Sequence, residues 1–146
     1  MNQKGVTLIE LIIVMVIIAI GAVLTTPNIS GWLTNYRLRS ATRDVASITR
    51  LAQLKAVSNN TSYQVVFDTA HDSYILQYQD TGGGWAPEGI SQTLPTGVKF
   101  NTTFPLNITT FSPNSTATDG NITLNNTKGS TKTVRLLGLT GRIRIE

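Results

Sequence analysis

The chain has 146 residues, which suits one domain with an additional segment. It contains no cysteine, so disulfides, thiolate metal sites and cysteine nucleophiles are excluded. Charged residues make up only 14%, and a net charge of +4 is a weak pointer toward polyanionic partners.

The first predicted element is an apolar N-terminal helix. Met1 to Gly5 carries one charge, Lys4, and an apolar run follows that is broken by a single charged residue, Glu10. From Val6 to Leu24 there are 19 residues, a helix of about 28 Å and close to the hydrocarbon thickness of a bilayer. Lys4 sits beside the run, while Arg37 and Arg39 lie beyond it, which suits a cytoplasmic N-terminus. Three ordinary readings compete: a plain transmembrane anchor, a secretory signal cut near Ala19-Ile20-Gly21, and a buried core helix. None accounts for Glu10. A carboxylate inside an apolar segment costs a few kcal/mol, which marks it as functional and in need of a partner. Pro27 falls just after the run, where it kinks or interrupts a continuing helix.

Lys4-Gly5-Val6-Thr7-Leu8-Ile9-Glu10, followed by Leu-Ile-Ile-Val, resembles the signature of type IV prepilins and of the pseudopilins of type II secretion. The resemblance implies cleavage between Gly5 and Val6 by a prepilin peptidase on the cytoplasmic side, then methylation of the new N-terminus at Val6. The family usually places Phe there. It implies that Glu10 meets the free N-terminus of a neighbouring subunit and so sets assembly register. A buried carboxylate and a buried ammonium are each costly alone and largely compensate as a pair. Pro27 matches the proline of the family's anchor helix. The implied organisation is a leader at 1–5, a transmembrane and filament-core helix at 6–27, and a periplasmic globular domain at 28–146 that includes the second half of one long helix. The implied location is the inner membrane, single-pass, in a pilus or pseudopilus. The implied partners are other pilin or pseudopilin subunits, the prepilin peptidase, the inner-membrane assembly platform and membrane lipid.

The second predicted element is an amphipathic helix from Asn28 to about Ser58. Ala41, Val45, Ile48, Ala52 and Lys55 recur at helical spacing with Leu51 and Leu54 beside them, and Arg37, Arg39, Arg43 and Arg50 lie mostly off this stripe as a solvated basic face. Asn59 to Ser62 stop it. Seven short strands follow: Tyr63–Phe67, Tyr74–Tyr78, Gly97–Phe100, Leu106–Phe111, Asn121–Leu124, Thr133–Leu137 and Ile143–Ile145. The predicted class is α+β, a long helix against antiparallel sheets. Three stretches resemble the GspH/FimT type of pilin-like protein: Leu94 to Val98, Phe111-Ser112-Pro113 with Gly120 to Leu124, and Thr140 to Ile145. That type often has Gly soon after the Phe-x-Pro unit, where this chain has Asn114.

Catalysis finds little support. His71 is the only histidine and sits in a predicted turn; the acidic residues are scattered without metal-ligand or acid–base spacing. No enzyme activity, cofactor or metal is expected. Gly82-Gly83-Gly84 lacks the Lys-Ser/Thr of a phosphate loop and reads as a turn. Eight Asn-x-Ser/Thr sequons read as loop and strand composition. Gly141-Arg142-Ile143-Arg144 is more informative. On a strand, Arg142 and Arg144 project from one face about 6–7 Å apart, a cationic fork that Arg135, Lys132 and Lys128 extend. FimT-like pilins that bind DNA carry a matching Gly-Arg-x-Arg, so the alternative is a binding subunit on the pilin framework, with DNA as partner or, on aromatic loop residues such as Trp85, an adhesin; a solvated edge strand is the plainer reading.

Overall fold

The computed structural model describes residues 5–25 and 29–146. Met1 to Lys4 of the expected leader, and Pro27, lie outside the described residues. The chain divides into two compact units, Met1–Leu33 and Thr34–Glu146.

In the first unit, α1 runs from Leu8 to Thr25. Its 18 residues rise about 27 Å, and the apolar side chains from Leu8 to Val23 are exposed on every side. Among the described residues no helix is long and apolar enough to cross a membrane. α2 spans Ile29–Ser58, and from Thr34 onward it belongs to the second unit.

The buried side of α2 is Leu38, Ala41, Thr42, Val45, Ala46, Thr49, Ala52 and Ala56. These positions recur at three and four, so they form one stripe. The two threonines are satisfied locally: Thr42 Oγ1 donates to the Leu38 carbonyl at 2.7 Å and Thr49 Oγ1 to that of Val45 at 3.0 Å. Leu51 and Leu54, expected beside the stripe, are 40% and 67% exposed. The predicted stop is built from the predicted residues. Asn60 takes a left-handed φ of 49° and the Thr61 N–H reaches back to the Ala56 carbonyl at 3.3 Å, a C-terminal cap that asparagine tolerates.

Nine strands follow: β1 (Tyr63–Asp68), β2 (Ser73–Gln79), β3 (Trp85–Pro87), β4 (Gln92–Thr93), β5 (Val98–Thr102), β6 (Ile108–Phe111), β7 (Gly120–Asn126), β8 (Thr131–Leu137) and β9 (Arg142–Ile145). One antiparallel sheet has the order β3-β2-β1-β6, with β4 also on β2; the other has the order β5-β7-β8-β9. The two strands beyond the expected seven are β3 and β4, of three and two residues, too short to show alternation. Leu106, expected to open a strand, instead lies in a 3-10 turn over Pro105–Asn107 with a φ of 56°, and β6 starts after it.

The core joins the helix stripe to both sheets. Val65, Phe67, Tyr74 and Leu76 enter from the first sheet; Val98, Phe100, Ile122, Leu124, Val134 and Leu136 enter from the second. Phe67 stacks on Phe104 at 6.2 Å and meets Phe100 edge-on at 5.6 Å. Gly120 has no side chain because the Phe104 ring occupies the place: a Cβ there would stand 2.5 Å from it.

Candidate functional site

Two places hold the residues singled out in the sequence, one in each unit. In the first, Glu10 lies in the first turn of α1, where a carboxylate complements the helix dipole. Its N–H donates to the Thr7 carbonyl at 3.1 Å. Val6, Glu10, Val14 and Ile18 border one shallow groove along the helix together with Leu11 and Met15. The first mature residue expected after cleavage therefore lies on the same side as the carboxylate.

The second place is β9. Its register pairs Arg144 with Arg135 and Arg142 with Leu137, and cross-strand partners share a face. Arg135, Arg142 and Arg144 are all exposed on the outer face of the second sheet, whereas Val134 and Leu136 are buried on the inner face. Among the described residues none of the three arginines has an ion pair. Lys132 is not part of this cluster. It pairs with Leu124, which is fully buried, so it belongs to the inner face, where it borders a hollow with Arg39 and Arg43 of α2. Lys128 lies in the β7–β8 turn, which Asn126 Oδ1 organises by accepting the N–H groups of Lys128 and Ser130 at 3.0 and 2.9 Å.

Gly141 has a structural reason of its own. Its φ is +58°, and a Cβ there would lie 2.5 Å from the Ser115 carbonyl oxygen and closer still to the Gln53 amide. The glycine of Gly-Arg-x-Arg lets the start of β9 approach α2, which a side chain would prevent.

His71 is part of a turn. Its Nδ1 is 2.6 Å from Asp68 Oδ2, and Asp68 Oδ1 accepts the Ala70 and His71 N–H groups at 2.9 and 3.1 Å. The His71 side chain, then the backbone bonds, hold the Asp68 carboxyl below the usual carboxylate range. The stability this adds is present above the ordinary carboxylate pKa and fades as pH falls through the lowered one. Lys55, read as part of the core stripe, is one-third exposed and pairs with Glu88 of the β3–β4 segment. The hydrogen bond to Glu88 raises the Lys55 pKa above its ordinary value.

A helix apolar on all sides, followed by an amphipathic helix laid on two antiparallel sheets, defines a pilin-like subunit. Residues 1–26 match the prokaryotic N-terminal methylation motif, and residues 41–140 match the family described as type II transport protein GspH. The second match covers more than half of the chain, and the chain belongs to the GspH family. Comparison with curated protein sequences finds no match. Among solved structures, the minor pseudopilin EpsH of the Vibrio cholerae type 2 secretion system aligns with a TM-score of 0.67 at 12% identity, covering 75% of this chain and 96% of that one. The type IV minor pilin FimU of Pseudomonas aeruginosa aligns at 0.63 and 16%, covering 77% and 90%. The solution structure of Escherichia coli GspH aligns at 0.62 and 11%, covering 84% and 94%. At these identities the likeness shows the fold. With the family match, it makes the chain a structural pilin- or pseudopilin-type subunit rather than an enzyme, one that assembles with other subunits of that type.

Proposed function

We propose that the chain is a minor pilin or pseudopilin, cut after Gly5, methylated at Val6 and held in the inner membrane until α1 enters the core of a filament. The observation that carries this reading is α1 itself. Leu8 to Val23 expose large apolar side chains all round the helix, a surface with no aqueous use. A bilayer covers it before assembly and neighbouring helices cover it afterwards. Val6 and Thr7 lengthen the apolar segment beyond the helix, and modest mismatch is met by local thinning of the bilayer. Glu10, beside Val6, is the group that receives the free N-terminus of a neighbour. The prepilin peptidase and the inner-membrane assembly platform are the further partners of this route. Cell fractionation tests it. The chain is expected in the membrane fraction, resistant to alkaline carbonate, and in sheared or overproduced filaments; release by carbonate would contradict the anchor.

The outer arginine face favours a second reading, in which the subunit also contacts DNA. Arg135, Arg142 and Arg144 lie together there, with the acidic Glu146 just past the end of β9. Three cations give a sequence-independent, salt-dependent grip on phosphates. Arg142→Ala/Arg144→Ala is expected to weaken duplex binding by about ten-fold or more at low salt, and to flatten the log–log salt slope by about 2. Fluorescence anisotropy at several salt concentrations measures both. A slope unchanged by the double substitution would place any DNA contact elsewhere.

A further inference from the structure

β9 is the last strand of its sheet, so one of its sides has no strand partner. The Thr133 and Glu146 backbones exchange both hydrogen bonds, at 3.0 and 2.8 Å. Antiparallel pairs alternate in this respect, so Arg144 and Arg142 also turn their N–H and C=O groups toward β8. Ile143 and Ile145 turn theirs to the open side, and among the described residues nothing bonds to them there. The open edge runs beside α2. Arg39, Arg43 and Arg50 are spaced by four and seven on that helix, hence on one side of it. One hollow of about 300 Å³ lies among Arg39, Arg43 and Lys132 with Ile145 in its wall. A second, of about 410 Å³, has Arg50 and Arg142 at its rim and Leu54 and Ile143 in its wall. From Arg39 to Arg50 the helix rises about 16 Å, the length of about five residues of extended chain.

We propose that this edge receives an extended acidic polypeptide segment from a neighbouring protein, added as a fifth strand beside β9 and clamped by the arginine row of α2. The backbone groups of Ile143 and Ile145 supply the pairing. Their side chains and Leu54 supply apolar pockets for alternate residues of the incoming strand. The cations on both walls select acidic residues in the other positions. A nucleic acid satisfies only the last of these features: it brings no N–H groups in strand geometry and gains nothing from Ile145 or Leu54, which are 42% and 67% exposed. The groove is distinct from the outer face that carries Arg135 and Arg144; Arg142 alone stands at the border of the two, on the rim of the hollow with Arg50.

The test uses the full chain in detergent micelles and a fluorescent peptide of alternating Glu and Val. Binding is expected. It is expected to fall about ten-fold or more when alternate residues of the peptide are proline, which removes its donors without changing its charge. It is also expected to fall in Arg39→Ala/Arg43→Ala and in Ile145→Pro. Proline is tolerated at an edge position whose N–H faces outward, and a thermal melt of the variant confirms that it is folded. The peptide-side prolines give the same answer without altering the protein. Equal binding of the proline peptide would overturn the proposal, since attraction would then be charge alone. So would displacement of the peptide by duplex DNA whose own binding is indifferent to Ile145→Pro. Absence of binding to folded protein would overturn it as well, leaving the cations as guards against edge pairing.

Discussion

Phe67→Ala is expected to remove about 3–5 kcal/mol of stability from the Thr34–Glu146 unit. Phe67 is 2% exposed and sits where the two sheets meet. It comes from β1 of one sheet and touches Phe100 from β5 of the other, Phe104 from the connecting segment, and Tyr74 across the β1–β2 pair at 6.4 Å. Each aromatic pair adds about 0.5–1.5 kcal/mol to what burial alone contributes. Deleting the ring opens a void that the surrounding rings and strands close only partly. A domain of this size holds about 5–15 kcal/mol in total, and with no cysteine in the chain there is no cross-link to limit the loss. Urea titration measures it. Leu139→Ala is the control: Leu139 is 93% exposed, and its truncation is expected to shift stability by less than about 0.5 kcal/mol. A Phe67 variant as stable as the control would mean that the two sheets are not joined through this cluster.

The second large effect concerns Glu10. Glu10→Ala is expected to leave cleavage and membrane residence intact while reducing recovery in filaments by about ten-fold or more. A carboxylate in an apolar span costs about 2.5–3.5 kcal/mol at the centre of a bilayer helix, so its removal favours insertion. If α1 were only an anchor, the variant would perform as well as the wild type or better. If the carboxylate pairs with a neighbour's free N-terminus, its loss leaves that ammonium buried without a partner, at about 3–5 kcal/mol. Glu10→Gln keeps the shape, removes the charge, and is expected to fail in the same way. Quantitative blotting of matched membrane and filament fractions separates the two cases.

Much of the fold was legible because its signals are local. The stripe from Ala41 to Ala52 and the stop at Asn59–Ser62 determine α2 almost to its last residue, and β1, β2, β7 and β8 announce themselves as apolar and β-branched runs between breakers. β3 and β4 do not, because strands of two or three residues exist through pairing with β2 and have no period of their own. The turn at Leu106 was hidden by an apolar residue that is in fact 88% exposed. At the basic site, parity was available: Val134 and Leu136 turn inward, so Lys132 belongs with them and Arg135 does not. What spacing could not say is which strand lies beside the arginine row of α2. That neighbour is β9, some ninety residues away in the chain, and the row looked like an ordinary solvated face until the tertiary structure placed it. Likewise, Gly141 read as part of a cationic motif, whereas its positive φ and close approach to Gln53 and Ser115 are properties of packing.

Whether the chain is processed as a prepilin is read from the mass of its N-terminal peptide, isolated from membranes of cells with an active prepilin peptidase. The expected chain starts at Val6 with a methylated amino group and retains Glu10. A chain starting at Met1, or one starting beyond Gly21 with Glu10 lost, would contradict it.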